Sequence, residues 1–254
     1  MPAPSPGRTV LPVLGAPIDV LSAAAAVERI AGWAGRRESR MVCICNAHSV
    51  VTAAQDPAFM RVIEQADLAT PDGAPVAWML RRLGAKAQSR VSGPDLMLDY
   101  CALAAARGEA IFLYGSTEHT LQSLQGQLLR RWPGLRIAGA ISPPFRPLDT
   151  AEDQAIVDAI NVSGVATVWV SLGCPKQEHW MADHRGRIQA VMIGVGAAFD
   201  FHAGTVRRAP FWMRERGLEW LYRLAREPGR LWRRYLVTNT AFVIGAARQL
   251  LHAR

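Results

Sequence analysis

The chain has 254 residues, half of them hydrophobic and a fifth charged, which excludes a disordered chain and leaves ample material for a buried core. Four cysteines do not make a disulfide scaffold; with no Cys/His pair at zinc spacing near Cys43 and Cys45, all four read as buried thiols of a reducing compartment. The net charge of +8 is segregated: residues 1–204 hold 18 basic and 18 acidic residues, whereas residues 205–254 hold 11 arginines and 3 glutamates.

Residues 1–8 are Pro-rich and read as frayed. Thr9–Leu14 is a strand candidate that Pro12 confines to an edge, with a turn at Gly15-Ala16-Pro17 and an Ala-rich helix expected from Ile18 to Arg36. Apolar runs then alternate with helical patterns. Strands are predicted at Met41–Ala47, Asp67–Thr70, Ala110–Tyr114, Leu135–Ala140, Ala166–Leu172 and Ala190–Val195. Helices are predicted at Ser49–Gln65 (split near Asp56-Pro57), Pro75–Leu83, Pro94–Arg107, Thr117–Trp132, Thr150–Val162 and Cys174–Arg185. Strands that are apolar throughout and alternate with helices imply an α/β fold, a mostly parallel, Rossmann-like sheet covered on both faces. No apolar stretch reaches the roughly 18 residues of a membrane span, and the N-terminus lacks the apolar region of a secretory signal. The expectation is a cytoplasmic protein with an α/β core over residues 1–204 and a basic helical appendage over 205–254.

In such folds ligands bind beyond the carboxyl ends of the strands. Asp72, in Thr-Pro-Asp-Gly at a strand end, fits both a turn aspartate and a general base. Tyr114-Gly115-Ser116-Thr117 joins a strand to a helix whose first amides could hold a phosphate. Gly194-Val195-Gly196 has two glycines of a dinucleotide fingerprint, but Phe199 stands where the third belongs. Gln177 and Glu178 follow Pro175-Lys176 at another helix start. His48, His179, His184 and His202 form no metal set at recognisable spacing, and no D-x-D is present, so any diphosphate would rely on arginines and helix N-termini. In the basic block, Arg223, Arg226, Arg230 and Arg233 recur at helical spacing with Trp and Leu between them, which suits a membrane interface or an RNA-binding face.

Taken in order, these motifs resemble the WecG/TagA/CpsF family of bacterial glycosyltransferases (family 26). The marks are Asn46, Asp72-Gly73, Arg90-Val91-Ser92-Gly93-Pro94-Asp95-Leu96, Leu113-Tyr114-Gly115, Leu172 through Glu178, Gly194 through Asp200, Arg208-Ala209-Pro210, and Glu219-Trp220-Leu221 through Tyr235. The resemblance implies inverting, metal-independent transfer of a sugar from a UDP-sugar to a polyprenyl-diphosphate-linked saccharide at the inner face of the membrane, with no cofactor and no nucleic-acid partner. It implies Asp72 as the base. Asn46, Arg90, Gly115, Gln177, Gly196 and Asp200 would line the donor and substrate site, and Arg223, Arg230 and Arg233 would meet the acceptor diphosphate or an anionic membrane. Two positions depart from the pattern: Ile44 stands where Thr is frequent, and Cys174 where Ala is common. A basic nucleic-acid-binding protein is the alternative that explains the tail but leaves Asp72 and the strand-end loops without a task. A nicotinamide oxidoreductase is disfavoured by the incomplete glycine fingerprint.

Overall fold

The computed structural model describes residues 8–252. Two short strands, β1 (Val10–Val13) and β2 (Ala16–Asp19), form an antiparallel hairpin. The helix expected from Ile18 therefore starts later, as α1 (Ala23–Gly35). The reason is the loop: Leu14 and Gly15 both adopt positive φ, 50° and 89°, a two-residue turn whose twist folds Ala16–Asp19 back on Val10–Val13.

The remaining elements follow the predicted alternation. They are β3 (Arg40–Cys45), α2 (Ala47–Gln55), α3 (Pro57–Glu64), β4 (Leu68–Pro71), α4 (Gly73–Arg82), α5 (Gly93–Arg107), β5 (Ala110–Gly115), α6 (Glu118–Arg131), β6 (Arg136–Ile141), α7 (Thr150–Val162), β7 (Thr167–Ser171), α8 (Lys176–Asp183) and β8 (Val191–Gly194). Helices α9 (Ala198–Ala203), α10 (Phe211–Glu215), α11 (Glu219–Arg226) and α12 (Pro228–His252) complete the chain. The six-stranded sheet is all-parallel, in the order β4-β3-β8-β7-β5-β6, with helices on its faces. Local chemistry sets the helix starts. Asp56 caps α3 with Pro57 behind it, Thr117 caps α6, and Asp149 and Glu152 form a reciprocal capping box on α7.

The chain divides into two compact units. The first takes the hairpin, residues 44–92 and the segment from 207 onward. Its core includes the fully buried Ile18, Phe59, Ile63, Leu68, Met79 and Leu80. Within it α12 packs on α2, and the Gln249 side chain grips the hairpin turn, accepting from the Leu14 amide (2.8 Å) and donating to the Pro12 carbonyl (2.6 Å). The second unit takes residues 23–43 and 93–206, around the fully buried Tyr100, Tyr114, Trp169 and Phe199. In this unit the chain leaves β5 toward β6 on one side and leaves β7 toward β8 on the other. The carboxyl ends of β5 and β7 therefore bound a topological switch point, the place where open α/β sheets hold ligands.

Three of the four cysteines (Cys43, Cys45 and Cys101) are buried as expected; Cys174 is only half-buried, because it lies in the turn between β7 and α8.

Asp19 anchors the hairpin. Its carboxylate is buried, pairs with the Arg8 guanidinium at 2.7 and 2.9 Å, and accepts from the Ala69 amide of β4 at 2.7 Å. Removing one partner of a buried pair leaves the other charge uncompensated. Asp19→Ala is expected to lower the unfolding free energy by about 3 kcal/mol in urea denaturation, whereas exposed-surface controls shift it by less than about 0.5 kcal/mol.

Candidate active site

In the first unit the end of β4 is tied to its surroundings by backbone bonds. The Asp72 amide donates to the Cys45 carbonyl (3.0 Å), and the Val91 amide donates to the Pro71 carbonyl (2.8 Å). These two bonds bring together Asn46, Asp72 and Arg90, three of the residues singled out in the sequence. Asn46 has a structural task as well: its Oδ1 caps α2 by accepting from the His48 and Ser49 amides (2.9 and 3.2 Å). The amide nitrogen is the donor it can offer a ligand. Asp72 holds the corresponding N-cap position of α4, yet its side chain makes no capping bond.

Arg90 is reached by carboxylates of the C-terminal segment. Its guanidinium lies 3.4 Å from Glu219 and 3.6 Å from Glu215. The other Glu219 oxygen lies 3.6 Å from Arg208, which also donates to the Ser92 hydroxyl at 3.0 Å. Two arginines thus share one carboxylate beside the end of β4. Burial and the nearby charge of Arg234 hold the His48 imidazole below its ordinary pKa, hence neutral at pH 7.

In the second unit the switch point is closely packed. Gly115 has φ +111°, and a side chain there would put its Cβ 2.3 Å from the Ser171 carbonyl oxygen, so only glycine fits. Ser116, also at positive φ (60°), donates its amide to that same oxygen at 2.9 Å. The Ser171 hydroxyl donates to the Gly196 carbonyl (2.8 Å), and the Gly196 amide donates to Gln177 Oε1 (3.1 Å). Gln177 is buried, and its Nε2 donates to Glu178 Oε1 at 2.9 Å. Tyr114, at the end of β5, stacks on Trp180 of α8 with centroids 4.3 Å apart, and Trp180 stacks in turn on His184 at 4.1 Å. Burial pushes the Tyr114 phenol up to about 12. Asp200 sits in the first turn of α9, its carbonyl accepting from Thr205 Oγ1 and the Val206 amide.

Comparison with known proteins decides the class. The Glycosyl transferase WecG/TagA/CpsF family matches residues 11–254. The chain belongs to this glycosyltransferase family. It is also similar to an N-acetylglucosaminyldiphosphoundecaprenol N-acetyl-beta-D-mannosaminyltransferase of Bacillus spizizenii, at 34% identity over 185 residues, covering 72% of this chain and 70% of the relative.

As a member of the WecG/TagA/CpsF family the chain is an enzyme, and its remaining candidates lie in the helical C-terminal segment. Arg223 is half-buried on α11, and Arg233 is exposed on α12 with its guanidinium 5.5 Å from the Trp232 ring centroid. The Arg230 side chain lies outside the described residues. Among the described residues no helix is long and apolar enough to cross a membrane. Four polar residues named by the structure are given no site role by the sequence: Ser171, Glu178, Arg208 and Glu219. Arg208 and Glu219 stand inside the motifs quoted for the family, but only the fold shows that one carboxylate meets two arginines.

Glu178 is nearly inaccessible, and burial pushes its carboxyl up to about 6, against hydrogen bonds from Gln177 and the Cys174 thiol that pull it down. The folded-state value lies above the unfolded one, so this group's contribution is complete below pH 4.5 and is lost as pH rises through about 6. Glu178→Gln does not titrate. Its stability relative to the parent should therefore improve by on the order of 2 kcal/mol between pH 4 and pH 7.5, measured by denaturation at both values.

Proposed function

We propose that this enzyme moves a sugar from a UDP-sugar to a polyprenyl-diphosphate-linked saccharide, with inversion and without a metal ion. The observation that carries the mechanism is that Asp72 holds the N-cap position of α4 without capping that helix. Asn46, Asp56, Thr117 and Asp149 occupy the same position on other helices, and each caps its helix. Asp72 does not, although an aspartate there gains about 1 kcal/mol by capping. A carboxylate at the end of β4 that does not cap its own helix suits a general base.

In this mechanism the Asp72 carboxylate takes the proton of the acceptor hydroxyl. The hydroxyl oxygen attacks the anomeric carbon from the face opposite UDP, the bond from that carbon to the diphosphate oxygen breaks, and the configuration inverts. UDP departs with the bonding electron pair. With no D-x-D in the chain, arginines and strand-end amides stabilise that charge. Asn46 and Arg90 serve beside the base, and Gly115, Gln177, Gly196 and Asp200 shape the donor-binding turns. Arg223, Arg230 and Arg233 meet the acceptor diphosphate or the anionic membrane at the cytoplasmic face. The exposed Trp212, Trp220 and Trp232 of the same segment support that placement, since Trp suits the interface and each basic residue near anionic lipid gains about 1 kcal/mol. The activity by which the Bacillus spizizenii relative is named makes UDP-N-acetylmannosamine the first donor to assay and N-acetylglucosaminyl-diphospho-lipid the first acceptor.

UDP release over a panel of UDP-sugars with a short-chain lipid-diphosphate-sugar acceptor tests the activity. In that assay Asp72→Asn should cut turnover by about 100-fold or more while UDP affinity, measured by calorimetry, stays within about threefold. Near-normal turnover would remove Asp72 from the role. Transfer should also persist in EDTA; abolition by EDTA with recovery on adding magnesium or manganese would overturn the metal-independent reading.

A further inference from the structure

Glu178 is 1% exposed and lies in the first turn of α8. Its Oε1 accepts from Gln177 at 2.9 Å, its Oε2 is buried with no hydrogen-bond partner among the described residues, and the Cys174 thiol and the residue's own backbone amide also lie against the carboxyl. Placing a carboxyl there costs stability that an apolar side chain of similar size would not. The local geometry shows what the carboxyl does in return. A glutamine amide can turn end for end in the same space, exchanging donor for acceptor. Here Nε2 is engaged by Glu178, so Oε1 faces the Gly196 amide and accepts its bond. Turned the other way, Gln177 would set its NH2 against the Gly196 N–H, donor against donor. The amide also packs hard on the turn: a Cβ at Gly194 would sit 3.0 Å from Gln177 Nε2 and 2.8 Å from the Met181 methyl. The Gly196 peptide is thus held at both ends, its carbonyl by Ser171 at the end of β7 and its amide by Gln177.

We infer that Glu178 is a positioning residue for donor binding: it fixes the orientation of the Gln177 amide and, through that amide, the Gly194–Gly196 turn after β8. The inference rests on the reading of that turn as donor-binding.

The test compares Glu178→Leu with Glu178→Gln in the full-length protein, reading hydrogen exchange at the Gly196 amide and steady-state kinetics for the donor. Leucine removes the acceptor for Gln177; glutamine keeps one. E178L should raise the Gly196 exchange rate by about tenfold or more and raise the donor KM by about tenfold, with kcat changed less. E178Q should bring both back to within about threefold of the parent. Should E178L not fold, Glu178→Met carries the same comparison. Unchanged Gly196 exchange in E178L, or E178Q no better than E178L, overturns the inference. So does faster exchange with an unchanged donor KM, since the carboxyl would then only stabilise the turn. A parent protein that turns over no UDP-sugar defeats the donor reading instead. The exchange arm still decides the rest: loss of Gly196 protection in E178L, restored in E178Q, sustains the orienting role, and its absence ends it.

Discussion

The ends of β5 and β7 approach so closely that one side-chain atom on Gly115 would collide with the Ser171 backbone. Much of the second unit's strand-end geometry follows from that contact. The chain must leave the two strands in opposite directions, and a left-handed Ser116 accepts the turn because its amide gains the Ser171 carbonyl. Ser171, having given its backbone to β5, has its hydroxyl available for the loop after β8. Three strand ends are thereby registered by a few short bonds rather than by side-chain bulk. Behind them the Tyr114–Trp180–His184 stack seats α8 against β5.

In the first unit the corresponding geometry depends on charge. Two acidic residues of the C-terminal segment, Glu215 and Glu219, reach Arg90, and Glu219 also reaches Arg208. At 3.4–3.6 Å these are loose pairs.

Most of the strand and helix alternation was legible in the sequence because period and punctuation agreed. Asp56-Pro57, Thr117 and Asp149 mark helix starts by their own side chains, and β3, β4, β5, β7 and β8 are buried on both faces, whereas the edge strand β6 is only partly buried. The failures have particular causes. The second hairpin strand was hidden because Leu14 supplies a positive φ that sequence rules assign to Gly, Asn or Asp. The stretch from Gly194 to Asp200 looked like a glycine motif and concealed the short helix α9. At the strand ends, Asp72, Asn46, Arg90 and Gln177 could be named from motifs, and the fold groups the first three in one unit. What a one-dimensional reading could not supply was division of labour. Asn46 caps and Asp72 does not, the Gln177 amide is oriented by its neighbour, and Glu219 joins residues 90 and 208. These depend on torsions and on contacts between segments far apart in sequence.

The grip of Gln249 on the hairpin turn has a consequence for biosynthesis. The Leu14 amide and the Pro12 carbonyl are made long before their partner, which lies 235 residues downstream of Leu14. The first unit is discontinuous, and the second, made mostly of residues 93–206, is synthesised between its parts. During translation the hairpin, α2, α3 and β4 must therefore wait, with the α2 surface that α12 will cover still exposed to solvent, while the second unit collects most of its own chain. Such an order makes the nascent first unit the segment that chaperones would hold, with closure of α12 over α2 coming only after the second unit's residues have been made.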